Sequence, residues 1–551
     1  MSLSLAVVGC GSDDGGGETG AETGEETETG EETETGTETE PGEETETGEE
    51  TETGTETETG TETETGEETE TGEETETGEE TETGEEDMTF WFESDLVEGA
   101  NSASWSGQAA RQVLIEELKG WIGGKSIAEA AGVTKMVLDG SLEANVPGDI
   151  YDTLWYYVEF DSDANGDAEI AITTKPLDPL QGSINEISTG KKLINKLAGN
   201  DSSTDHKDWS TEFVGWDDQD IAAYGGSTSS PEGLLKAFLW TIDANAVALA
   251  AGETDMPVHL TAKGQDLQQL VQKFLVMAVN FSQGTDDYLD VDPVNDGKGI
   301  GPGADNTVAD GEGKAYTSLE HHWDEGFGYF GAAADYAYYN DKEAAGKVKS
   351  EEDGRADWNG SHDTNGDGFI DLAKEINLGA SVNAAKRDIG SAGFANPTDF
   401  TGDIYGGFFT GRSIIHNAAG ELTEEERADL LEQADIVRLG WEACIAATAI
   451  HYVNDTKADI DSWIDGTDPA SMATIAKHWS ELKGFSLGFQ FSPISPLSDA
   501  DFAEFQSLIG DSPVLEADGL DAWNAYKADL DAAAALLGAA WDFDEDAIAN
   551  W

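Results

Sequence analysis

Residues 11–87 set the first limit on what this chain can fold into. The run is built almost entirely from Glu, Thr and Gly, as in ETETGEETETG, and holds 34 acids with no Lys or Arg. It has no apolar residue large enough to bury, so it cannot offset the entropy of ordering and is expected to stay disordered. Any core must therefore come from residues 88–551, where aromatics occur throughout. About 460 residues exceed the usual size of one hydrophobic core, which predicts two packed helical subdomains.

The formal net charge is −87, and removing the tail's 34 acids leaves −53 on the folded part. Nucleic-acid binding is excluded by that balance, because phosphate contacts need Lys and Arg patches. An acidic surface suits a cation-rich medium, where counterions screen self-repulsion. The chain opens MSLSLAVVGCGSDDGGG. A short apolar run, small residues, a cysteine and then a polar glycine-rich stretch resemble a bacterial lipoprotein signal. The resemblance implies cleavage before Cys10, lipidation of its thiol and anchoring at a bacterial outer membrane or cell surface. Residues 11–87 would then be a tether with an r.m.s. span of about 50 Å, lengthened by like-charge repulsion. The other cysteine, Cys444, lies in GWEACIAATAIHY and reads as a small core residue. No other stretch offers 18 or so continuous apolar residues.

Helical periodicity dominates residues 88–551, so the fold class is mainly α, with helices packed in bundles. In GQAARQVLIEELKGWIGG the apolar residues Ala109, Val113, Leu114, Leu118, Trp121 and Ile122 share one helical face. Further helices are predicted at KGQDLQQLVQKFLVMAVNF, YTSLEHHWDEGFGYFGAAADYAYY, DIYGGFFTGRSIIHNA, TEEERADLLEQADIVRLGWEACIAATAIHYVN, SMATIAKHWSELKGFSLGF, DADFAEFQSLIG and LDAWNAYKADLDAAAALLGAAW. Thr423 and Glu426 form a capping box. Strand-like alternation is confined to LWYYVEFD and AEIAITT.

Three acidic loops interrupt the helices. One is Asp161 to Glu169, with Asp163, Asn165 and Asp167 between them; a second runs near Asp290 to Asp296. In the third, HDTNGDGFID, Asp363, Asn365 and Asp367 fall at positions 1, 3 and 5 of a calcium-loop pattern. Gly368 makes the turn, Phe369 offers a carbonyl at position 7, and Asp371 stands at 9. Alternating oxygen ligands round a glycine turn wrap a hard cation such as calcium. Lys374 occupies position 12, where a bidentate acid belongs, and Glu375 is one residue out of register.

The sequence His322-Trp323-Asp324-Glu325 is echoed by His478-Trp479-Ser480-Glu481. At 100° per residue His322, Glu325 and Tyr329 share one side of a helix, and His478, Glu481 and Phe485 line up alike. Two such helices face to face would supply two imidazoles and two carboxylates, a set that suits a transition metal such as iron or zinc. The alternative is that each His and Glu hydrogen-bonds locally and pins helices together. His321, His416 and His451 read as structural or surface residues. No H-E-x-x-H and no G-x-S-x-G occurs, so the sequence favours a protein that is not an enzyme. A non-enzymatic module that binds a protein or glycan through calcium-stabilised loops is the competing reading.

Four stretches carry a family resemblance: SWSGQAARQVLIEEL, YTSLEHHWDEGFGYFG, GWEACIAATAIHYVN and AKHWSELKGFSLGFQFSP. Together they resemble the bacterial lipoprotein family known as domain of unknown function 4856, which implies a secreted or surface-anchored helical protein. A looser likeness is to imelysin-like proteins, two-bundle helical surface proteins marked by G-x-H-x-x-E and linked to peptidase activity and iron uptake. His322 with Glu325, and His478 with Glu481, match the H-x-x-E part, with Glu320 and Ala476 where the glycine would stand. That likeness implies metal binding.

Overall fold

A computed structural model describes residues 87–551, except 125–133, 137–141, 145–148, 162–168, 175–177, 202–204, 219–220, 222–226, 291–300, 351, 357, 359 and 466–471. Cys10, residues 11–86, Asp163, Asn165, Asp167 and the stretch 291–296 therefore lie outside the described residues. The rest is helical, as the periodicity predicts. The helices are α1 (Ser106–Gly123), α2 (Asp149–Val158), α3 (Pro231–Ala251), α4 (Leu267–Leu275), α5 (Ser318–Phe330), α6 (Ala380–Ser391), α7 (Phe400–Ala418), α8 (Glu424–Asp465), α9 (Met472–Ser486), α10 (Asp499–Ile509), α11 (Leu520–Ala540) and α12 (Glu545–Asn550), beside shorter helical turns. Two three-residue strands, Thr134–Met136 and Leu142–Ala144, pair antiparallel.

The 42-residue α8 is the spine, packed against α6, α7, α9 and α11. Its start is the capping box the sequence shows: Glu426 N–H donates to Thr423 Oγ1 at 3.2 Å, and Thr423 N–H donates to Glu426 Oε2 at 2.8 Å. α4 bridges α1, α3 and α9. One continuous apolar core runs from Phe90 to Trp551. In α1 the predicted face is inside, with Val113, Leu114 and Leu118 fully buried.

Two sequence readings change. LWYYVEFD is not a strand: most of it belongs to α2. Ile150, Leu154 and Val158 recur every four residues and are all fully buried, a helical rather than a two-residue period. Asp243 Oδ1 caps the start, accepting from the amides of Ile150 and Tyr151 at 3.0 and 3.1 Å. Among the described residues of AEIAITT the structure has an isolated bridge between Ala171 and Ser183. α3 was also legible but unread. Ser230 accepts from Gly233 N–H at its start, Pro231 takes the first turn, and Gly252 stops it at φ +73°. α3 is long and apolar enough to cross a membrane by length and composition, yet its Leu234, Leu235, Phe238 and Ile242 are fully buried in the core.

The largest departure from ordinary helix follows α4. Val276–Phe281 and Gln283–Tyr288 are π-helical, a wider spiral with i→i+5 bonds that is rare and frequent at functional sites. Gly284 lies so close to the Trp441 ring of α8 that a Cβ there would collide with it. The second π turn brings Gln283, Asp286, Asp287 and Tyr288 side by side, all buried.

Candidate functional site

The two sides of α5 do different work. Thr317 and Glu320 cap its start reciprocally. Arg412 of α7, fully buried, reaches Glu320 Oε1 and Asp324 Oδ1 at 2.9 Å each, and Asp324 Oδ2 also accepts from Ser104 N–H at 3.0 Å. Burial pushes the Asp324 carboxyl up to about 7 against the pull of Arg412. Trp323 donates its indole N–H to Phe408 O at 2.8 Å. Phe327 stacks on Phe90 at 4.0 Å and meets Trp105 edge-on at 5.1 Å. Glu320, Trp323, Asp324 and Phe327 are thus structural.

His322, Glu325 and Tyr329 turn toward α1, the second π turn and the loop near Lys196. Glu325 accepts from Gln108 Nε2 of α1 at 2.6 Å, with His321 Nε2 at 3.9 Å. Burial opposes its charge, but His321, Lys196, the Gln108 amide and His322 hold the carboxyl below its ordinary range. The Tyr288 ring is 5.9 Å from His322 and 5.8 Å from Tyr329, and its hydroxyl accepts from Lys196 Nζ at 3.1 Å. Burial raises the Tyr329 hydroxyl's pKa; Arg111 pulls it back, and Glu325, Asp287 and Asp201 add to the rise. These groups sit together on one side of α5.

The second π turn also meets residues that spacing in the sequence did not reveal. Asp201, Asp205 and Asp287 each place a carboxylate oxygen within 4.8 Å of the other two. Gln283 Nε2 donates to both Asp201 and Asp287. Next to them, His206 Nδ1 lies 2.9 Å from Asp286 Oδ2, and burial raises the Asp286 carboxyl despite His206. Asp287 stands more than 80 residues from Asp205, so no local motif joins them. The one available signal was the acid pair in QGTDDY at the end of an apolar helix.

The second HWxE helix has its own partners. His478 Nδ1 is 2.8 Å from Asp459 Oδ2 of α8, and Nε2 is 3.9 Å from Asp455. Burial lowers its pKa, but Asp459, Asp455 and Glu481 outweigh that, and the net shift is upward. Glu481 accepts from the Tyr452 hydroxyl at 3.2 Å and lies 3.5 Å from buried Lys273 Nζ. Trp479 donates to Ile509 O at 3.0 Å. α5 packs on α1, α7 and the π turns, while α9 packs on α8 and α4. His322, Glu325, His478 and Glu481 are not brought into one group; among the described residues the ligating cluster is the aspartate one. What the two motifs share is a buried Trp that donates to a backbone carbonyl of a neighbouring element.

In the loop at Asp363 the carboxylates face the turn's own amides. Asp363 accepts from Gly366, Asp367 and Gly368 at 2.7, 3.2 and 2.8 Å, Asn365 from Asp367 at 2.8 Å, and Asp367 from Phe369 at 2.8 Å. This is a string of Asx turns, with Gly368 at φ +89°. Asp371 Oδ1 accepts from Gln181 at 2.8 Å, so it is turned toward the 178–182 segment. Glu375, out of register in the sequence, closes the loop through Thr364 N–H at 3.1 Å and Asp371 N–H at 2.8 Å. Phe369 is half exposed. Of the other two acidic loops, Asp161 pairs with Lys192 at 3.2 Å and Asp290 with Arg438 at 3.1 Å.

Residues 239–362 match the family model described as Domain of unknown function (DUF4856), and this part of the chain carries that domain. The match covers most of α3, all of α4, the π turns and α5, and with them His322, Glu325, Tyr329 and Asp287. No curated protein and no solved structure matches the chain.

Proposed function

We propose that the protein is an exported, membrane-tethered helical module that binds a cation through the aspartates beside α5 and carries out no chemistry on it. The observation that carries this reading is the convergence of Asp201 and Asp205 on Asp287 of the second π turn, which packs against α5. Carboxylates this close repel one another unless protons or a cation offset the charge. Cys444 supplies no nucleophile: it is fully buried, and burial pushes its thiol pKa well up. The tether reading is supported by LAVVGC and by the acidic run that follows it. A lipid on Cys10 would hold the acidic body, −53 in charge, at a bacterial outer membrane or cell surface where cations accumulate.

Metal analysis of the full chain after exhaustive high-salt washing tests the binding half. Wild type and His478→Ala should retain a stoichiometric ion, and Asp287→Asn should lose it. Wild type that retains no ion, with calcium, magnesium, manganese, iron or zinc offered, removes the reading. Detergent-phase partitioning tests the anchor, which Cys10→Ser should abolish. A second reading, a protein- or glycan-binding surface, is favoured by half-exposed Phe369 and Leu180, set side by side by the Leu180 N–H to Ile370 O bond of 2.8 Å. Phe369→Ser should then weaken capture of the cell's own surface glycans.

A further inference from the structure

We infer that the start of α1 carries a site for a phosphate-class oxyanion, built from Arg111, Lys191 and the first turn of the helix. The inference is independent of the cation reading above. Acids outnumber Lys and Arg by 115 to 28 in this chain, so a cationic group that no carboxylate closes stands out. Buried Arg412 and Arg438 each meet two carboxylates within 3.5 Å. Arg111 is just 7% exposed and, among the described residues, meets none. Its Nε donates to Lys192 O at 3.2 Å and its Nη1 to Gly107 O at 3.4 Å. Carbonyls satisfy those donors but do not offset the charge, and the Nη2 donors remain for a ligand.

Lys191 joins Arg111 at the same turn. A Cβ on Gly107, the second residue of α1, would lie 3.0 Å from Lys191 Cε and 3.4 Å from Nζ, so the lysine stem lies across the helix start. Lys191 has no ion-pair or hydrogen-bond partner among the described residues. Desolvation holds its ammonium pKa below the ordinary value, Arg111 and Lys314 push the same way, and Glu325 opposes them. Glu325 is engaged elsewhere, by Gln108 at 2.6 Å and His321 at 3.9 Å. The helix adds partial positive charge. Trp105 gives no side-chain cap, the first turn holds no acid, and the first amides have no acceptor within the helix. Two full cations beside a helix N-terminus suit a doubly charged group, and a guanidinium binds phosphate oxygens in pairs. A cluster this small takes one phosphoryl group and not a nucleic-acid strand.

Inorganic phosphate is the probe. It is titrated into the full chain by calorimetry at fixed sodium, with chelator present so that no divalent ion bridges it to the aspartates. Glycerol phosphate and acetate are parallel arms. Wild type should bind phosphate saturably, and acetate, with one charge, about tenfold or more weakly. Tighter binding of glycerol phosphate names an ester as the source of the group, and tighter binding of phosphate names the free anion; both uphold the site. Lys191→Met keeps the stem and should weaken phosphate by about tenfold, as should Arg111→Lys, which keeps the charge but loses the planar fork. Lys207→Met, whose lysine pairs with Asp499, should leave it unchanged. Without phosphate, Lys191→Met removes a repulsion, so its melting temperature should match or exceed wild type and a lost affinity is not a folding defect. No saturable phosphate binding in wild type, or equal affinity in Lys191→Met, overturns the inference.

Discussion

In EHHWDE, three acids on one helix meet three different fates. Glu320 and Asp324 close on Arg412, and Glu325 accepts from Gln108 of α1. Replacing Arg412 with Met leaves two buried carboxyls without their cation, which should cost about 3–5 kcal/mol in chemical denaturation. A loss below about 1 kcal/mol would mean that the network is dispensable. A second residue sets a pH dependence. Burial pushes the fully buried Glu442 up to about 8 from 4.5, against Ser495, Ser492 and Arg438. The folded form then binds the proton more tightly than the unfolded one. Stability is complete below about pH 4.5 and falls as pH rises toward about 8. Glu442→Gln should flatten that slope, measured by denaturant midpoints from about pH 5 to 8; an unchanged slope contradicts the assignment. At this scale the sequence was partly legible. A 3.6-residue period placed His322, Glu325 and Tyr329 together, because neighbours on one helix obey local geometry. Asp201 and Asp205 reach Asp287 only through the fold, which no period encodes.

Among the elements, most helices could be read from their apolar period and caps, and α8 begins at the capping box its sequence spells out. LWYYVEFD misled because its aromatics favour strands, while burial of Ile150, Leu154 and Val158 decided for a helix. The π turns were not legible. KGQDLQQLVQKFLVMAVNF reads as an unbroken helix, although its end is π-helical, and in the next π turn Gly284 leaves room for the Trp441 ring. Gly284→Ala should force the ring or the turn to shift, costing about 1–3 kcal/mol. It should also weaken ion binding, since Asp287 sits three residues on. Calorimetric melting with and without calcium checks both, and full ion binding in this variant would show that the π turn does not position the site. The echo of HWxE also taught less than it promised. It repeats the Trp anchor, Trp323 to Phe408 and Trp479 to Ile509, and not a shared site.

For the whole molecule, one core carries a body with −53 of net charge. Self-repulsion of that size is screened by salt, with a Debye length near 10 Å at 0.1 M and about 3 Å at 1 M. The melting temperature should therefore rise with sodium chloride across that range, and a flat or falling trend would contradict an acidic surface adapted to cations. The central claim is that a cation sits on Asp201, Asp205 and Asp287 beside α5. Anomalous diffraction from a crystal soaked in terbium or calcium tests it most directly. The account predicts a peak within bonding distance of Asp201, Asp205 and Asp287. Aspartates without a peak, while other sites fill, or a peak on His322 instead would contradict it.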